Sequence, residues 1–157
     1  MTPEIDRPDI HPLVHPPLLA LFHLCAAYLL GWALPLPVGV PAPVHYAGFG
    51  LVIAGLLSGF SAVIELRKAQ TTFDPHGSVR QLVTRGMYRF SRNPIYLGFL
   101  MMVIGFPLFS GNYWGLCLAP VYAAMMNRLV ITLEESYLEG KFQEQYVEYK
   151  SRVRRWL

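Results

Sequence analysis

Two groups of polar residues lie where apolar segments begin and end, and together they could bind a ligand that carries both charges. Asn93 and Pro94 follow Arg92 and open an apolar segment. Because Asn is a favoured N-cap and Pro is favoured at the first helical position, a helix is predicted to start at Pro94. Its free N–H groups and Arg92 would bind an anion. Glu134 and Glu135 end a later apolar segment and could bind an ammonium group. Adjacent anion and cation sites suit an amino-acid moiety.

The same residues also admit a simpler interpretation. Arg92 could form an ion pair with Glu134 or Glu135 at the membrane interface, and the charges would then serve only to hold two helices together. Both interpretations require the arginine and the carboxylates to be close in space. Both therefore depend on how the apolar segments are arranged.

These apolar segments are long enough to set the fold class. Hydrophobic residues make up 54% of the 157 residues, against about 45–50% in soluble domains, and they are concentrated in blocks. A spanning helix needs about 20 apolar residues. This predicts an all-α integral membrane protein with four transmembrane helices, at 18–34, 45–65, 95–109 and 113–133. The third is short, and with the fourth it is expected to form a tight hairpin through residues 110–112.

One domain is expected to cover the whole chain. Its consecutive parts are an N-terminal segment, the first two spans, a loop, the hairpin and a tail, at 1–17, 18–65, 66–93, 94–133 and 134–157.

Positive charge predicts the orientation of the chain. The loop at 66–93 contains six Lys or Arg residues and the tail at 134–157 contains five, whereas the connections at 35–44 and 110–112 contain none. Because Lys and Arg are retained in the cytoplasm, both termini and the long loop are expected to be cytoplasmic. The protein is thus predicted to be a multi-pass protein of the cell membrane, in contact with membrane lipids.

The tail at 134–157 is predicted to be one amphipathic helix. Its apolar residues recur in steps of three or four, as one helical face requires; they are Leu138, Phe142, Tyr146, Tyr149, Val153 and Trp156. Such a helix could lie on the membrane surface as an anchor. Alternatively, Tyr146, Tyr149 and Trp156 could roof a pocket, because aromatic faces suit a positively charged ligand group.

Other site chemistries find no support in the sequence. No zinc-finger spacing or aromatic-basic RNA motif is present, so no nucleic-acid partner is expected. His23 and His45 are predicted at opposite depths of the membrane, and neither has a Cys or carboxylate at ligand spacing, so no metal site is expected. Gly55 and Gly59 form a GxxxG motif, which is typical of close helix packing in lipid.

Residues 86–98 resemble the membrane methyltransferase motif of the isoprenylcysteine carboxyl methyltransferase and phospholipid methyltransferase superfamily. Glu134 and Glu135, with the apolar positions of the tail, Arg155 and Trp156, resemble the C-terminal block of that family. The resemblance extends from about residue 72 to the end of the sequence. The family usually has His where this chain has Asn93, and Arg is frequent where this chain has Ile131.

The resemblance implies S-adenosylmethionine as cofactor and S-adenosylhomocysteine as product, in a pocket between transmembrane helices and the C-terminal segment at the cytoplasmic face. The residues that it implies for cofactor binding are Tyr88, Arg92, Asn93, Pro94, Tyr96, Gly98, Glu134, Glu135, Tyr146 and Tyr149. Of these, Tyr146 and Tyr149 would close over the cofactor.

The implied reaction is displacement at the sulfonium methyl group by a lipophilic acceptor, which could be an isoprenylcysteine-like carboxylate, a lipid amine or a thiol. Glu134 is a catalytic candidate because an amine would need a general base. Arg128, within the fourth span, could orient an anionic acceptor or extend its charge to the interface.

Two alternative functions remain at this stage. One is a non-enzymatic membrane adaptor or transporter-like subunit, which GxxxG packing and an amphipathic tail would also suit. The other is a relative of the sterol reductases, for which four spans are few. No feature of the sequence fixes the oligomeric state.

Overall fold

Apolar runs that open with proline determine where the first three α-helices begin. The computed structural model describes residues 7–72 and 74–157. Helices α1, Pro16–Ala33, and α2, Ala42–Lys68, both carry proline in the first turn, where its missing N–H breaks no intrahelical bond. Helix α3 is Pro94–Phe109 and begins at Pro94, as predicted. The remaining elements are a 3₁₀ turn at Gly86–Arg89, α4 at Trp114–Met126, a π-helical turn at Asn127–Ile131, α5 at Thr132–Phe142 and α6 at Glu144–Arg152.

The prediction of an all-helical membrane protein is confirmed at this level, since the described residues form no strand and include long apolar helices. Three helices are long and apolar enough to cross a membrane: Pro16–Ala33, Ala42–Lys68, and the continuous helix Trp114–Phe142. Helix α3 has 16 residues, which correspond to about 24 Å along its axis. Because a hydrocarbon core is about 30 Å thick, the fourth crossing stays a prediction.

Helices α2 and α3 pack closely along a line of glycines. A Cβ at Gly98 would lie 2.6 Å from the carbonyl oxygen of Gly55, and one at Gly105 would lie 2.7 Å from that of Gly48. The predicted packing role of Gly55 is therefore confirmed, and its partner is Gly98 on α3. A Cβ at Gly59 would meet nothing within 4 Å, so this glycine is not required for the contact.

This packing can be tested with a matched pair of substitutions. Both Gly98→Ala and Gly59→Ala gain helix propensity, about 0.5–1 kcal/mol, but only the first forces a methyl group against a backbone carbonyl. Overpacking costs about 1–3 kcal/mol. We therefore expect Gly98→Ala to unfold at a lower temperature in detergent than Gly59→Ala. Equal unfolding temperatures would contradict the assigned contact.

Side-chain hydrogen bonds fix the depth of α3 against α2. Ser58 Oγ donates to the carbonyl oxygen of Pro94 at 2.8 Å, so α3 begins ten residues before α2 ends at Lys68. At the other end, His45 Nδ1 bonds to the carbonyl oxygen of Phe109 at 2.8 Å. The start of α3 is therefore recessed relative to the end of α2, and the intervening loop covers the recess.

A short turn joins α3 to α4, in agreement with the predicted hairpin. Gly111 has a φ of +82°, which the left-handed region allows glycine at little cost. Asn112 donates its side-chain amide to the carbonyl oxygen of Ala27 and accepts from the backbone N–H of Trp114, both at 2.8 Å. The turn is thereby attached to α1.

The structure differs from the predicted single helix over the tail. Gln143 has φ 46° and ψ −121° and separates α5 from α6, and α6 ends at Arg152. Val153 is extended, and the carbonyl oxygens of Arg154 and Arg155 accept hydrogen bonds from residues 91–93. If the helix continued, these carbonyl oxygens would point along the helix axis and could not accept hydrogen bonds from residues 91–93. The last residues therefore leave the helix and pack against the loop. We call residues 153–157 the C-terminal strap.

Candidate functional site

A cavity of about 820 Å³, its open mouth included, lies where α3 and α5 begin. Nine of the ten residues proposed from the resemblance line it. They are Tyr88, Arg92, Asn93, Pro94, Tyr96, Glu134, Glu135, Tyr146 and Tyr149. The two polar groups recognised in the sequence therefore face the same cavity.

Arg92 is the cationic side chain in the cavity lining, and it is nearly buried, with 10% of the side chain exposed. Its Nη2 lies 3.1 Å from Glu135 Oε1, which is the ion pair of the simpler interpretation. That pair does not use all of its donors. Nε and Nη1 are buried and have no hydrogen-bond partner among the described residues. Because a buried unpaired donor costs about 1–3 kcal/mol, an acceptor that enters the cavity would be bound favourably by these two N–H groups.

Glu135 is shared between two arginines. Besides Arg92, it accepts two hydrogen bonds from Arg155 of the C-terminal strap, from Nε at 3.1 Å and from Nη2 at 2.5 Å. Only 8% of the Glu135 side chain is exposed. This hydrogen bonding to Glu135 raises the pKa of the Arg155 guanidinium above its usual value, so Arg155 stays charged.

Glu134 has a different environment from its neighbour. It accepts a hydrogen bond of 2.6 Å from the hydroxyl of Tyr96, and within the described residues it takes part in no salt bridge. Tyr96 is buried on α3, and its hydroxyl fixes the carboxylate at the wall of the cavity. Of the two adjacent glutamates, Glu134 is thus the one with a carboxylate available for a cationic ligand group.

Tyrosines of α6 cover the cavity from the side of the tail. Tyr146 is 1% exposed and Tyr149 8%, and their ring centroids are 6.2 Å apart. The hydroxyl of Tyr149 donates to the carbonyl oxygen of Tyr88 at 2.7 Å. Burial raises the pKa of both tail tyrosines above the usual value, so they remain neutral phenols. Trp156 instead packs against the hydrophobic core formed with α1, α3 and α4.

Three positions differ from what the sequence suggested. Gly98 does not line the cavity, because it faces α2 across the glycine contact. Arg128 is exposed on the π-helical turn and does not line the cavity, since that turn shifts the helical register between α4 and α5. Asn93 occupies the N-cap position without capping, and its Nδ2 donates to the carbonyl oxygen of Arg155 at 2.9 Å.

A segment of the loop after α2 also lines the cavity, and the sequence did not predict this. Lining residues of this loop are Thr72, Asp74, Pro75, Gly77, Val79, Gln81, Leu82 and Val83. Tyr137 of α5 holds it by accepting a hydrogen bond of 3.0 Å from the backbone N–H of Val79. Thr71 accepts from the backbone N–H of Arg80 at 2.9 Å. The prolines and glycine of this segment predict a loop, but no local pattern indicates that it folds over a site.

Sequence comparisons with known proteins match the part of the chain that contains most of the helices around the cavity. The family model of the phospholipid methyltransferases matches residues 43–145. An uncharacterized protein of Haemophilus influenzae is 36% identical over 63 residues, which are 40% of this chain and all of that protein. The protein-S-isoprenylcysteine O-methyltransferase of Schizosaccharomyces pombe is 33% identical over 72 residues, 46% of this chain and 30% of that enzyme. Protein-S-isoprenylcysteine O-methyltransferase B of Arabidopsis thaliana is 38% identical over 76 residues, 46% of this chain and 37% of that enzyme. No solved structure gives a significant match.

The chain spans about a third of the length of the two named methyltransferases. The family match includes α2, α3 and α5, and with them Arg92, Glu134 and Glu135, whereas Tyr146, Tyr149 and the C-terminal strap follow it. Since the family model matches more than half of the sequence, the chain belongs to the phospholipid methyltransferase family of membrane methyltransferases.

Proposed function

We propose that this protein is an S-adenosylmethionine-dependent methyltransferase that acts on a lipophilic acceptor at the cytoplasmic face of the membrane. The observation that carries the proposal is the joint presence, in one cavity, of a nearly buried arginine and a carboxylate. Among the described residues, two donors of the arginine have no partner and the carboxylate takes part in no salt bridge. Family membership favours this function over a membrane adaptor or a sterol-reductase-like enzyme.

The residues present fit the amino-acid moiety of the cofactor. Each of the two free donors of Arg92 can donate a charge-assisted hydrogen bond to a carboxylate oxygen, and Glu134 offers a negative charge to an ammonium or sulfonium group. The aromatic rings of Tyr88, Tyr146 and Tyr149 line the same space, and aromatic faces attract cations. When bound, S-adenosylmethionine would supply an activated methyl group on a positively charged sulfur.

The protein's own contribution would be binding, orientation and the exclusion of water. The buried Tyr146 and Tyr149 and the loop after α2 all line the cavity and would limit the access of water to a bound ligand. Holding two reactants in a productive orientation can lower the activation free energy by about 7–11 kcal/mol. A carboxylate or thiolate acceptor would need nothing more. An amine would have to lose a proton, and Glu134 would be the nearest base.

The apolar part of the cavity supports a lipophilic acceptor. Its side chains come from α2, the loop, α3 and α5; they are Leu66, Val79, Leu82, Val83, Ile95 and Leu138. Leu66 and Ile95 belong to apolar helices, so this part of the lining continues into the hydrophobic body of the protein. The fungal and plant relatives carry the name protein-S-isoprenylcysteine O-methyltransferase, and an acceptor with a similar apolar chain would suit the same wall.

A cytoplasmic site requires both termini on that side, and therefore a fourth crossing by α3. The hydrogen bonds of α3 to Ser58 at one end and His45 at the other support a crossing antiparallel to α2. We expect a reporter active only in the cytoplasm to work when fused after Leu157, and one active only outside to work when inserted after Gly39. Activity of the external reporter after Leu157 would overturn this orientation.

Methyl transfer tests the proposed function. Purified protein in vesicles would be given S-adenosylmethionine with a tritiated methyl group and, in separate reactions, N-acetyl-S-farnesylcysteine, phosphatidylethanolamine or a long-chain thiol. We expect organic-extractable label with one of these acceptors and its loss in Arg92→Ala. A folded protein that labels none of the three classes would count against the proposed acceptor chemistry.

A further inference from the structure

We propose that Arg155 is a positioning residue whose charge neutralises Glu135 and thereby leaves the charge of Arg92 available for the carboxylate of the ligand. The inference rests on the proposed function and extends it to the C-terminal strap, which lies beyond the part of the chain matched by the family model. Arg155 itself does not line the cavity, so it would act through Glu135 and not by touching the ligand.

The charge balance of this cluster carries the first step. Two guanidinium groups share one carboxylate, because Glu135 lies 3.1 Å from Arg92 and 2.5 Å from Arg155. One positive charge is therefore left over. Arg155 uses both Nε and Nη2 on Glu135. Arg92 uses Nη2, and its Nε and Nη1 have no hydrogen-bond partner in the described part of the chain. The surplus charge is therefore located on Arg92, at the wall of the cavity.

The backbone of the strap carries the second step, because it holds Arg155 in place. The carbonyl oxygen of Arg155 accepts hydrogen bonds from Asn93 Nδ2 at 2.9 Å and from Ser91 Oγ at 3.3 Å. The carbonyl oxygen of Arg154 accepts from the backbone N–H of Arg92 at 3.0 Å. The strap is thus attached to the residues on both sides of Arg92, and Asn93 serves this attachment instead of capping α3.

Without Arg155, Arg92 would be the one cationic partner of Glu135 among residues 7–72 and 74–157. The carboxylate would then draw Arg92 into a closed one-to-one pair, in which its charge is compensated before any ligand arrives. An anionic ligand group would lose its attraction to the site, whereas a ligand without that group would be little affected. This difference separates a role in charge positioning from a general role in folding.

The test compares two probes in calorimetric titrations of the detergent-purified protein. S-Adenosylhomocysteine carries the amino-acid moiety, and methylthioadenosine lacks it. We expect Arg155→Gln to weaken binding of the first about tenfold or more, and of the second by less than about twofold. Arg154→Gln is the matched control, because it removes the same charge from the exposed neighbouring residue, and it should behave like the parent.

A double variant gives the readout that a purely structural role would not produce. Arg155→Gln combined with Glu135→Gln removes the carboxylate that would capture Arg92, so it should bind S-adenosylhomocysteine more tightly than Arg155→Gln alone. Arg155→Lys keeps the charge and should lie between the parent and Arg155→Gln; it replaces the glutamine variant if that does not fold.

Three results would overturn the inference while the proposed function stands. They are unchanged binding of S-adenosylhomocysteine in Arg155→Gln, an equal loss for both probes, and a double variant no tighter than the single one. A folded parent that binds neither probe would overturn the proposed function, and the role of Arg155 with it.

Discussion

Replacing Arg92 with alanine is expected to abolish most of the affinity for S-adenosylhomocysteine. The side chain is nearly buried in the cavity wall and presents two donors that have no partner within the described structure. Truncating one member of a desolvated charge pair costs about 2–5 kcal/mol, which corresponds to a loss of about 30-fold or more. The loss should be much smaller for methylthioadenosine, because that ligand has no carboxylate. Calorimetric titration with both ligands measures the difference.

Arg89→Ala is the matched control for Arg92→Ala. Arg89 ends the 3₁₀ turn just before the strap-binding residues, and it is exposed and outside the cavity. The Arg89→Ala substitution removes the same charge from the same loop. We therefore expect this variant to bind S-adenosylhomocysteine with an affinity close to that of the parent. Equal losses in the two variants would mean that general positive potential attracts the ligand, and the assigned contact would be wrong.

A second large effect is expected for Glu134→Gln, which keeps the shape of the side chain and removes its charge. The carboxylate is fixed by Tyr96 and takes part in no salt bridge among the described residues, so its negative charge should serve the cationic groups of the ligand. We expect S-adenosylhomocysteine to bind about tenfold or more weakly. S-Adenosylmethionine should lose more than its product, because its sulfonium adds a second positive charge.

Glu144→Gln provides the comparison for Glu134→Gln. Glu144 begins α6, is exposed and does not line the cavity, so its change should leave both affinities near those of the parent. If Glu134→Gln also binds like the parent, the cationic groups of the ligand must be recognised elsewhere. The tyrosine rings of the tail would then be the remaining candidates.

Two parts of the site could be predicted from the sequence: the start of α3 and the pairing of Arg92 with a glutamate. Pro94 starts α3 as expected, since proline suits the first helical turn and Asn93 is short and polar. The pairing of Arg92 with a glutamate also follows from the sequence, because each lies at one end of an apolar segment and the two segments form a hairpin. What the sequence could not decide was which glutamate pairs, and the structure assigns Glu135 to the arginines and Glu134 to Tyr96.

Where the structure departs from local sequence patterns, tertiary contacts override local preference. Helical periodicity extends through residue 156, yet the strap leaves the helix because its carbonyl oxygens bind the loop before α3. Gly98 belongs to the recognised motif but serves the contact with α2. Arg128 is displaced by a π-helical turn that adds a residue to the helix, and no composition rule predicts such a turn.

The most direct measurement is a calorimetric titration of the folded, detergent-purified parent with S-adenosylhomocysteine, with circular dichroism to establish that the protein is helical. The cavity, its arginine and its glutamate predict saturable binding of one ligand per chain that is at least tenfold tighter than binding of methylthioadenosine. No saturable binding by helical protein, or equal affinity for the two ligands, would contradict the assignment of this cavity to an amino-acid-bearing cofactor.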